Sequence, residues 1–232
     1  MPRAERPAVG GGFGAEGRIL YAACALSQFL VAAGASVVTT MGPALREANG
    51  LRASWLPWAV LAYALALGLL ALPLRLLIRH IRPLPVLILG LWLFVQSSVA
   101  LTLVSGAPAF LAFRAVQGAG AAALTATAFA LVLALDLDGQ GSDRLLLAWS
   151  AVVVAGLGTG LVVGAVVGAE WRWALWANVP LTATAGVPLV RLLRSTWRRD
   201  KAVGAGAGAG AGAGDGGGLG VGQGDGAQDA AA

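Results

Sequence analysis

The chain has 232 residues, of which 58% are hydrophobic and only 12% are charged, and its net charge is +5. Soluble domains carry roughly a quarter charged residues, so this chain has too little polar surface to coat a water-soluble globule. Its composition indicates that lipid is the solvent for much of the protein. The basic residues flank apolar runs and do not line a face together with aromatic residues, which favours membrane topology over nucleic-acid binding.

The chain has few residues that could bind a metal or form a disulfide, because Cys24 is the only cysteine and His80 the only histidine. One cysteine permits neither an intrachain disulfide nor a cysteine-based zinc site. His80 lies between Arg79 and Arg82, whose charges would repel a metal cation. We therefore expect a solvated loop histidine, no metal and no cofactor.

Six apolar segments follow a polar lead, and each is long enough to cross about 30 Å of hydrocarbon as a helix. The lead, residues 1–18, is charged and glycine-rich and is predicted to be flexible. Gly42 and Pro43 end the first segment, because proline cannot donate a hydrogen bond into a continuing helix. The six helices are predicted at about 19–41, 56–77, 84–104, 108–135, 145–168 and 173–193.

These segments predict an all-α membrane protein with a transmembrane domain of six helices over residues 19–196. After Lys201 the chain alternates glycine and alanine and then becomes mostly glycine with scattered aspartates. Such a sequence buries little and loses much backbone entropy on ordering. Residues 197–232 are therefore predicted to form a disordered, Gly/Ala-rich tail.

The distribution of lysine and arginine predicts the orientation in the membrane. Only Arg46, Arg52 and Arg172 fall in loops on one predicted side. The other side carries Arg3, Arg6, Arg18, Arg75, Arg79, Arg82, Arg144, Arg191, Arg194, Arg198, Arg199 and Lys201. We expect a multi-pass protein of the cell membrane with both termini in the cytoplasm.

Arg114 is the one charged residue well inside a predicted helix. An arginine near the centre of a membrane helix costs roughly 2.5–3.5 kcal/mol on insertion scales. Gln117 follows three residues later, on the same helix face. Two interpretations fit this spacing equally: a polar site that faces the bundle interior, or an arginine that binds loose carbonyls and holds helices together.

Further polar side chains lie in the spans, but none of them is a carboxylate. Gln28, Thr39 and Asn178 are the other candidates for substrate or ion contacts. Hydroxyls in membrane helices usually bond to a carbonyl of their own helix, which is the expectation for Ser36, Thr40, Ser97, Ser98, Thr125 and Thr127. Proton relays generally use intramembrane carboxylates or histidines, so proton coupling is in doubt.

The fifth predicted helix carries a glycine at every fourth position, which predicts close helix packing through small residues. The fourth helix has a similar stripe that begins at Gly118 and Gly120 and continues through alanines. The glycines of the fifth helix are Gly156, Gly160, Gly164 and Gly168.

Read in order, these segments resemble the N-terminal half of the major facilitator superfamily, most closely its fourteen-helix drug/proton antiporter branch. Residues 27–31 through Pro43 resemble the first helix of that family, and residues 58–66 are similar to the second. Residues 114–122, Arg-Ala-Val-Gln-Gly-Ala-Gly-Ala-Ala, resemble its fourth-helix arginine motif. Trp-Arg-Trp at 171–173, followed by Asn-Val-Pro at 178–180, resembles the start of its sixth helix.

The chain departs from the family pattern where the family carries charge and proline. Gly34 stands where a first-helix aspartate is usual, and Thr39 where asparagine follows. The fifth helix lacks the usual Gly-Pro kink. The loop motif between the second and third helices usually has glycine, aspartate and glycine, and its positions here are Arg75, Arg79 and Arg82.

The resemblance implies a half bundle built from a 3+3 inverted repeat, whose partner half rocks against it around a midplane site. It implies efflux of small, lipophilic compounds, with a homodimer or a second transporter half as partner and the bilayer as surroundings. The alternative is a degenerate half that does not transport and serves as a membrane scaffold or partner subunit. An enzyme is not expected, because the spans hold no set of catalytic residues.

The predicted orientation can be tested by cysteine labelling in a Cys24→Ala background. Single cysteines replacing Ala4 and Ala231 should resist a membrane-impermeant maleimide in right-side-out vesicles, because both termini are predicted to be cytoplasmic. A cysteine replacing Ala53 should react. Labelling of one terminus but not the other would contradict an even number of spans.

Overall fold

The computed structural model describes residues 14–49, 52–135 and 142–213, and within these ranges the ordered elements are helices. The chain divides into residues 1–193, which contain the bundle, and residues 194–232. In chain order the helices are α1 (Ala15–Thr40), α2 (Gly42–Asn49), α3 (Trp55–Leu77), α4 (Pro83–Leu103), α5 (Ala107–Leu135), α6 (Ser142–Val167), a 3₁₀ turn (Gly168–Glu170), α7 (Trp171–Trp176) and α8 (Asn178–Ala213).

Five helices in the described part of the chain are long and apolar enough to cross a membrane: α1, α3, α4, α5 and α6. The sixth predicted span is not among them, and the structure divides it between α7 and α8. The two helices are joined at Ala177, whose N–H still donates to the carbonyl of Trp173 over 2.9 Å. Pro180, which has no N–H to donate, follows in the first turn of α8, where helices tolerate proline.

Helix α8 continues to Ala213, into the segment that the sequence analysis predicts to be a disordered tail. Alanine is the strongest helix former, and here it alternates with glycine directly after an established helix. The remainder of the predicted tail, residues 214–232, lies outside the described residues, as do residues 1–13 of the predicted flexible lead. The last residues of that lead, from Ala15 onward, belong to α1.

Two apolar clusters mark the two ends of the bundle and show that successive long helices run in opposite directions. One cluster joins the start of α1 and α4 to the end of α5, for example through Cys24, Leu87 and Val132. The other joins the end of α1 and α4 to the start of α5, for example through Val38 and Leu101 with Phe110. We call the end that contains Cys24, Leu87 and Val132 the first end of the bundle, and the opposite end the second end. At the second end, the short turn between α4 and α5 contains Gly106 with φ +90°, a conformation that glycine adopts without strain.

Helix α6 packs along α1 through glycines that leave no room for side chains. A Cβ at Gly156 would lie 2.7 Å from the carbonyl oxygen of Phe29, and one at Gly160 or Gly164 would overlap an α1 carbonyl. Two α1 hydroxyls bridge this seam: Ser36 Oγ donates to the Leu157 carbonyl over 2.8 Å and Thr40 Oγ1 to that of Leu161 over 3.0 Å.

Gly168, the last glycine of the predicted stripe, is not part of this seam. It begins the 3₁₀ turn with φ +51°, and no described atom would lie within 4 Å of a Cβ there.

On α5, a Cβ at Gly118 would meet the backbone of Tyr63 in α3, and one at Gly120 would lie 2.9 Å from the backbone nitrogen of Phe94 in α4.

The seam between α1 and α6 predicts opposite effects for two glycines two residues apart. Gly160→Ala should lower the free energy of unfolding by about 1–3 kcal/mol, because the methyl group overpacks the seam. Gly158→Ala is the matched control, since a Cβ there meets no described atom within 4 Å, and it should be neutral or stabilising by up to about 1 kcal/mol through helix propensity. Unfolding in mixed micelles measures both. Equal effects of the two substitutions would contradict this packing.

Candidate functional site

Arg114, in α5, is completely buried, with a relative exposure of 0%. Its guanidinium bonds to two neighbouring helices: Nε donates to the carbonyl of Ala59 in α3 over 3.3 Å, and Nη1 donates to the carbonyl of Gly34 in α1 over 3.2 Å. The guanidinium carbon lies 4.4 Å from the centre of the Tyr63 ring, a cation–π distance. The Tyr63 hydroxyl donates to the carbonyl of Val31 over 2.8 Å, which fixes the ring against α1.

Gln117 connects this arginine to α4 and α8. Its Oε1 accepts a hydrogen bond from Arg114 Nη1 at 2.5 Å, and its Nε2 donates to Ser98 Oγ at 2.7 Å. Asn178 Nδ2, at the start of α8, also donates to Ser98 Oγ, over 3.1 Å. Ser98 donates its own proton to the Phe94 carbonyl over 2.8 Å, so both lone pairs and the proton of this hydroxyl are used.

We call Arg114, Gln117, Ser98, Asn178 and Tyr63 the polar cluster. It contains no carboxylate, and the sequence has none between Glu47 and Asp136. The positive charge is therefore held by carbonyl dipoles, an amide oxygen and an aromatic face. Arg114 Nη2 is buried and has no hydrogen-bond partner among the described residues. A buried cation without a full set of partners is costly, so this nitrogen is the point at which the cluster is incomplete.

Gly34 occupies the position at which the resembled family usually has an aspartate, and the space beside it is too small for a carboxylate to join the polar cluster. A Cβ at this position would lie 2.9 Å from the Phe94 ring and 3.8 Å from the Tyr63 hydroxyl. An aspartate could fit only if Phe94 moved. Glycine at this position keeps a side chain out while its carbonyl oxygen accepts from Arg114.

The other two candidates in the spans stand apart from the polar cluster. Gln28 is buried in α1, and its Oε1 has no hydrogen-bond partner in the described structure. Thr39 is exposed, and its hydroxyl donates to the carbonyl of Ser36 in its own helix at 2.5 Å. Sequence reasoning therefore selected Arg114, Gln117 and Asn178 from this cluster, and it missed Ser98 and Tyr63 as members.

The three arginines of the loop motif lie at the first end of the bundle, in the last turn of α3 and the turn into α4. All three are exposed. The Arg75 guanidinium lies 5.4 Å from the centre of the Phe129 ring in α5. Arg79 holds the position at which the resembled motif has an aspartate, so the charge there is reversed.

Neighbouring serines in α4 allow the polar cluster to be tested. Ser98→Ala should destabilise the protein by about 1–3 kcal/mol, because the buried amides of Gln117 and Asn178 both lose their acceptor. Ser97→Ala is the control: Ser97 is equally buried, but its hydroxyl bonds only to the carbonyls of Leu93 and Phe94 in its own helix. Unfolding in mixed micelles should separate the two variants, and an equal loss would refute a shared role for Ser98.

Comparison with known proteins agrees with the resemblance carried by these motifs. Over 169 residues the chain is 34% identical to the cephamycin export protein CmcT of Amycolatopsis lactamdurans. This alignment covers 72% of the chain but only 34% of that protein, so the chain spans about a third of the length of its curated relative. Residues 24–218, most of the chain, match the Major Facilitator Superfamily. The chain is therefore a multi-pass membrane protein that belongs to the major facilitator superfamily of transporters.

Proposed function

We propose that this chain is one half of an efflux transporter that moves small lipophilic compounds out of the cell, with the polar cluster as its binding site. The observation that carries the proposal is the buried Arg114 guanidinium, which has a nitrogen without a described partner and no carboxylate to neutralise it. Such a group is expensive in a membrane. A solute that supplies a hydrogen-bond acceptor would satisfy the Arg114 Nη2 donor.

The role of Gln117 and Asn178 in this proposal is to orient the site. Both amides converge on Ser98, so α4, α5 and α8 are held by one hydroxyl. Gln117 Oε1 also accepts from Arg114 Nη1, which leaves the neighbouring Nη2 as the donor for a prospective solute. Membership of a transporter family and identity to a protein named for export support an efflux direction.

A second half is part of the proposal, because six helices alone do not enclose a midplane site. Apolar side chains stand exposed on the outer faces of two helices, including Leu65 and Leu69 on α3 and Val154 and Val162 on α6. These faces are available to a second copy of the chain, which would pair by two-fold symmetry, or to a separate transporter half.

The alternative is a scaffold or partner subunit that does not transport. The reversed charge at Arg79 and the missing intramembrane carboxylates favour this alternative, because the resembled motif latches the cytoplasmic side through its aspartate. The two functions differ in one measurable property, which is net movement of a solute by the chain itself.

Dye movement in proteoliposomes that contain only this chain tests the proposal. We expect the parent to move a lipophilic fluorescent dye, and Arg114→Met to reduce the rate about tenfold or more, since hydrogen bonds to charged groups contribute about 1.5–3 kcal/mol. Arg46→Gln is the control, because Arg46 is an exposed arginine at the second end of the bundle.

Three outcomes of this assay are informative. If the parent moves no dye, with or without an imposed proton gradient, transport by this chain is wrong and the scaffold is favoured. Equal rates for the parent and Arg114→Met would remove Arg114 from the site. We expect a proton ionophore to leave the parent rate unchanged, because none of the six predicted spans contains a carboxylate to relay protons.

A further inference from the structure

The two sequence motifs of the predicted sixth span fall on separate helices. Residues 171–173 belong to α7 and residues 178–180 to α8, and Ala177 lies between the two helices. Asn178 belongs to the polar cluster through its bond to Ser98, whereas Arg172 and Pro180 lie outside that cluster. A role for these two residues has to come from the junction between the helices.

Helices α7 and α8 pack into different apolar clusters. Trp171 and Leu175 of α7, each 1% exposed, belong to the cluster at the second end of the bundle. Ala185 and Leu189 of α8 are equally buried and belong to the cluster at the first end. Among the described residues, neither cluster includes a member from residues 176–180. The junction therefore lies between two separately packed segments.

The backbone hydrogen bonds across the junction are weakened. Pro180 has no N–H, so it cannot donate to the carbonyl of Trp176 four residues earlier. The N–H of Leu181 donates to the carbonyl of Ala177 over 3.5 Å, which is longer than the usual distance of about 2.9–3.0 Å. Bending at Ala177 therefore costs less than bending a regular helix, in which each carbonyl has its own N–H donor.

Arg172 holds α7 to the end of α4. Its Nε donates over 3.2 Å to the carbonyl of Thr102, in the last turn of α4, where carbonyls have no donor within the helix. The guanidinium carbon lies 4.7 Å from the centre of the Trp171 ring, and the helix dipole favours a cation at this end of α4. Helix α7 is therefore fixed by a charged hydrogen bond as well as by its buried side chains.

Asn178 holds the start of α8 to α4 through a weaker contact. Its bond to Ser98 is a neutral hydrogen bond of 3.1 Å, to an oxygen that also accepts from Gln117, and neutral hydrogen bonds are roughly half as strong as charged ones. One turn further along α8, the buried Thr182 hydroxyl has no partner among the described residues. This position of α8 therefore leaves a buried hydroxyl unsatisfied and has a weak polar contact with α4.

We propose that Ala177 is a hinge about which residues 178–193 of α8 pivot while α7 stays in place. The hydrogen bond from Asn178 to Ser98 is the latch that holds the pivoting segment. Release of the latch leaves Gln117 as the amide that donates to Ser98, so the hydrogen bonds that orient Arg114 change with the position of α8. The hinge does not require a transported solute, and its test is therefore separate from that of the proposed function.

Spin-label distances in the full chain, reconstituted in lipid nanodiscs, test the hinge. In a Cys24→Ala background, Leu69→Cys on α3 carries one label, and either Val187→Cys on α8 or Trp173→Cys on α7 carries the other. These three side chains are at least 50% exposed, and dilution with unlabelled chain removes distances between copies. Asn178→Leu should increase the displaced population of Val187 distances about 2- to 12-fold, the equilibrium factor of an ordinary hydrogen bond, and leave the Trp173 distances unchanged.

Two further variants separate the hinge and the latch from a general loosening of α8. Pro180→Ala restores the N–H that the junction lacks, so combining it with Asn178→Leu should reduce the displaced population below that of Asn178→Leu alone. Thr184→Val is the matched control, because the Thr184 hydroxyl bonds to the carbonyl of Pro180 within its own helix, and its distances should equal those of the parent. Thermal unfolding of each variant in nanodiscs confirms that it is folded.

The proposal is overturned by any of four results. Unchanged Val187 distances in a folded Asn178→Leu protein would show that Asn178 is not a latch. Equal displacement of the Trp173 and Val187 labels would show that α7 and α8 move as one body. An unchanged displaced population after Pro180→Ala would place the flexibility elsewhere. A displacement in Thr184→Val as large as that in Asn178→Leu would show that the contact with Ser98 has no special role.

Discussion

The guanidinium of Arg114 ties five helices to one point inside an apolar bundle. It bonds directly to carbonyls of α1 and α3, and through Gln117 and Ser98 it reaches α4 and α8. No carboxylate belongs to the polar cluster, so among the described residues the charge is stabilised by carbonyl and amide dipoles and by the Tyr63 ring. Any movement of one of these helices must change a hydrogen bond to a buried group, which is costly in lipid. The relative positions of the five helices therefore determine how many hydrogen bonds the buried Arg114 guanidinium and its partners can form.

The close approach of the helices makes this arrangement possible. Gly118 lets α5 lie against the backbone of α3 near Tyr63, and Gly120 does the same towards α4 at Phe94. Gly34 keeps the space beside Phe94 free of a side chain. Gly118 in particular brings α5 close to α3, whose Ala59 carbonyl accepts from Arg114. Small residues therefore serve the polar chemistry as well as the packing that replaces the hydrophobic effect between membrane helices.

The first end of the bundle shows a different use of arginine. Arg75 and Arg79 are exposed at the mouth of an apolar cleft, and they can meet solvent or lipid phosphate, so their charge is inexpensive. Arg114 is cut off from both. The same residue type is thus an exposed cation in one place and a buried cation in the other. Depth in the bilayer decides between these roles, since a charge costs most at the midplane.

The sequence alone was sufficient to predict the membrane environment, the family and five of the spans. Apolar runs of about 20 residues and short motifs can be recognised without any information on long-range contacts. It also singled out Arg114 and Gln117, which are neighbours on one helix face. The structure divides the sixth predicted span between α7 and α8, close to Pro180, and it extends α8 to Ala213. Only the tertiary structure decided that Ser98, rather than Ser97 or Gln28, joins the polar cluster. A hydroxyl that bonds within its own helix and one that accepts from two others have the same sequence signature, and the difference arises from which face of α4 meets α5 and α8.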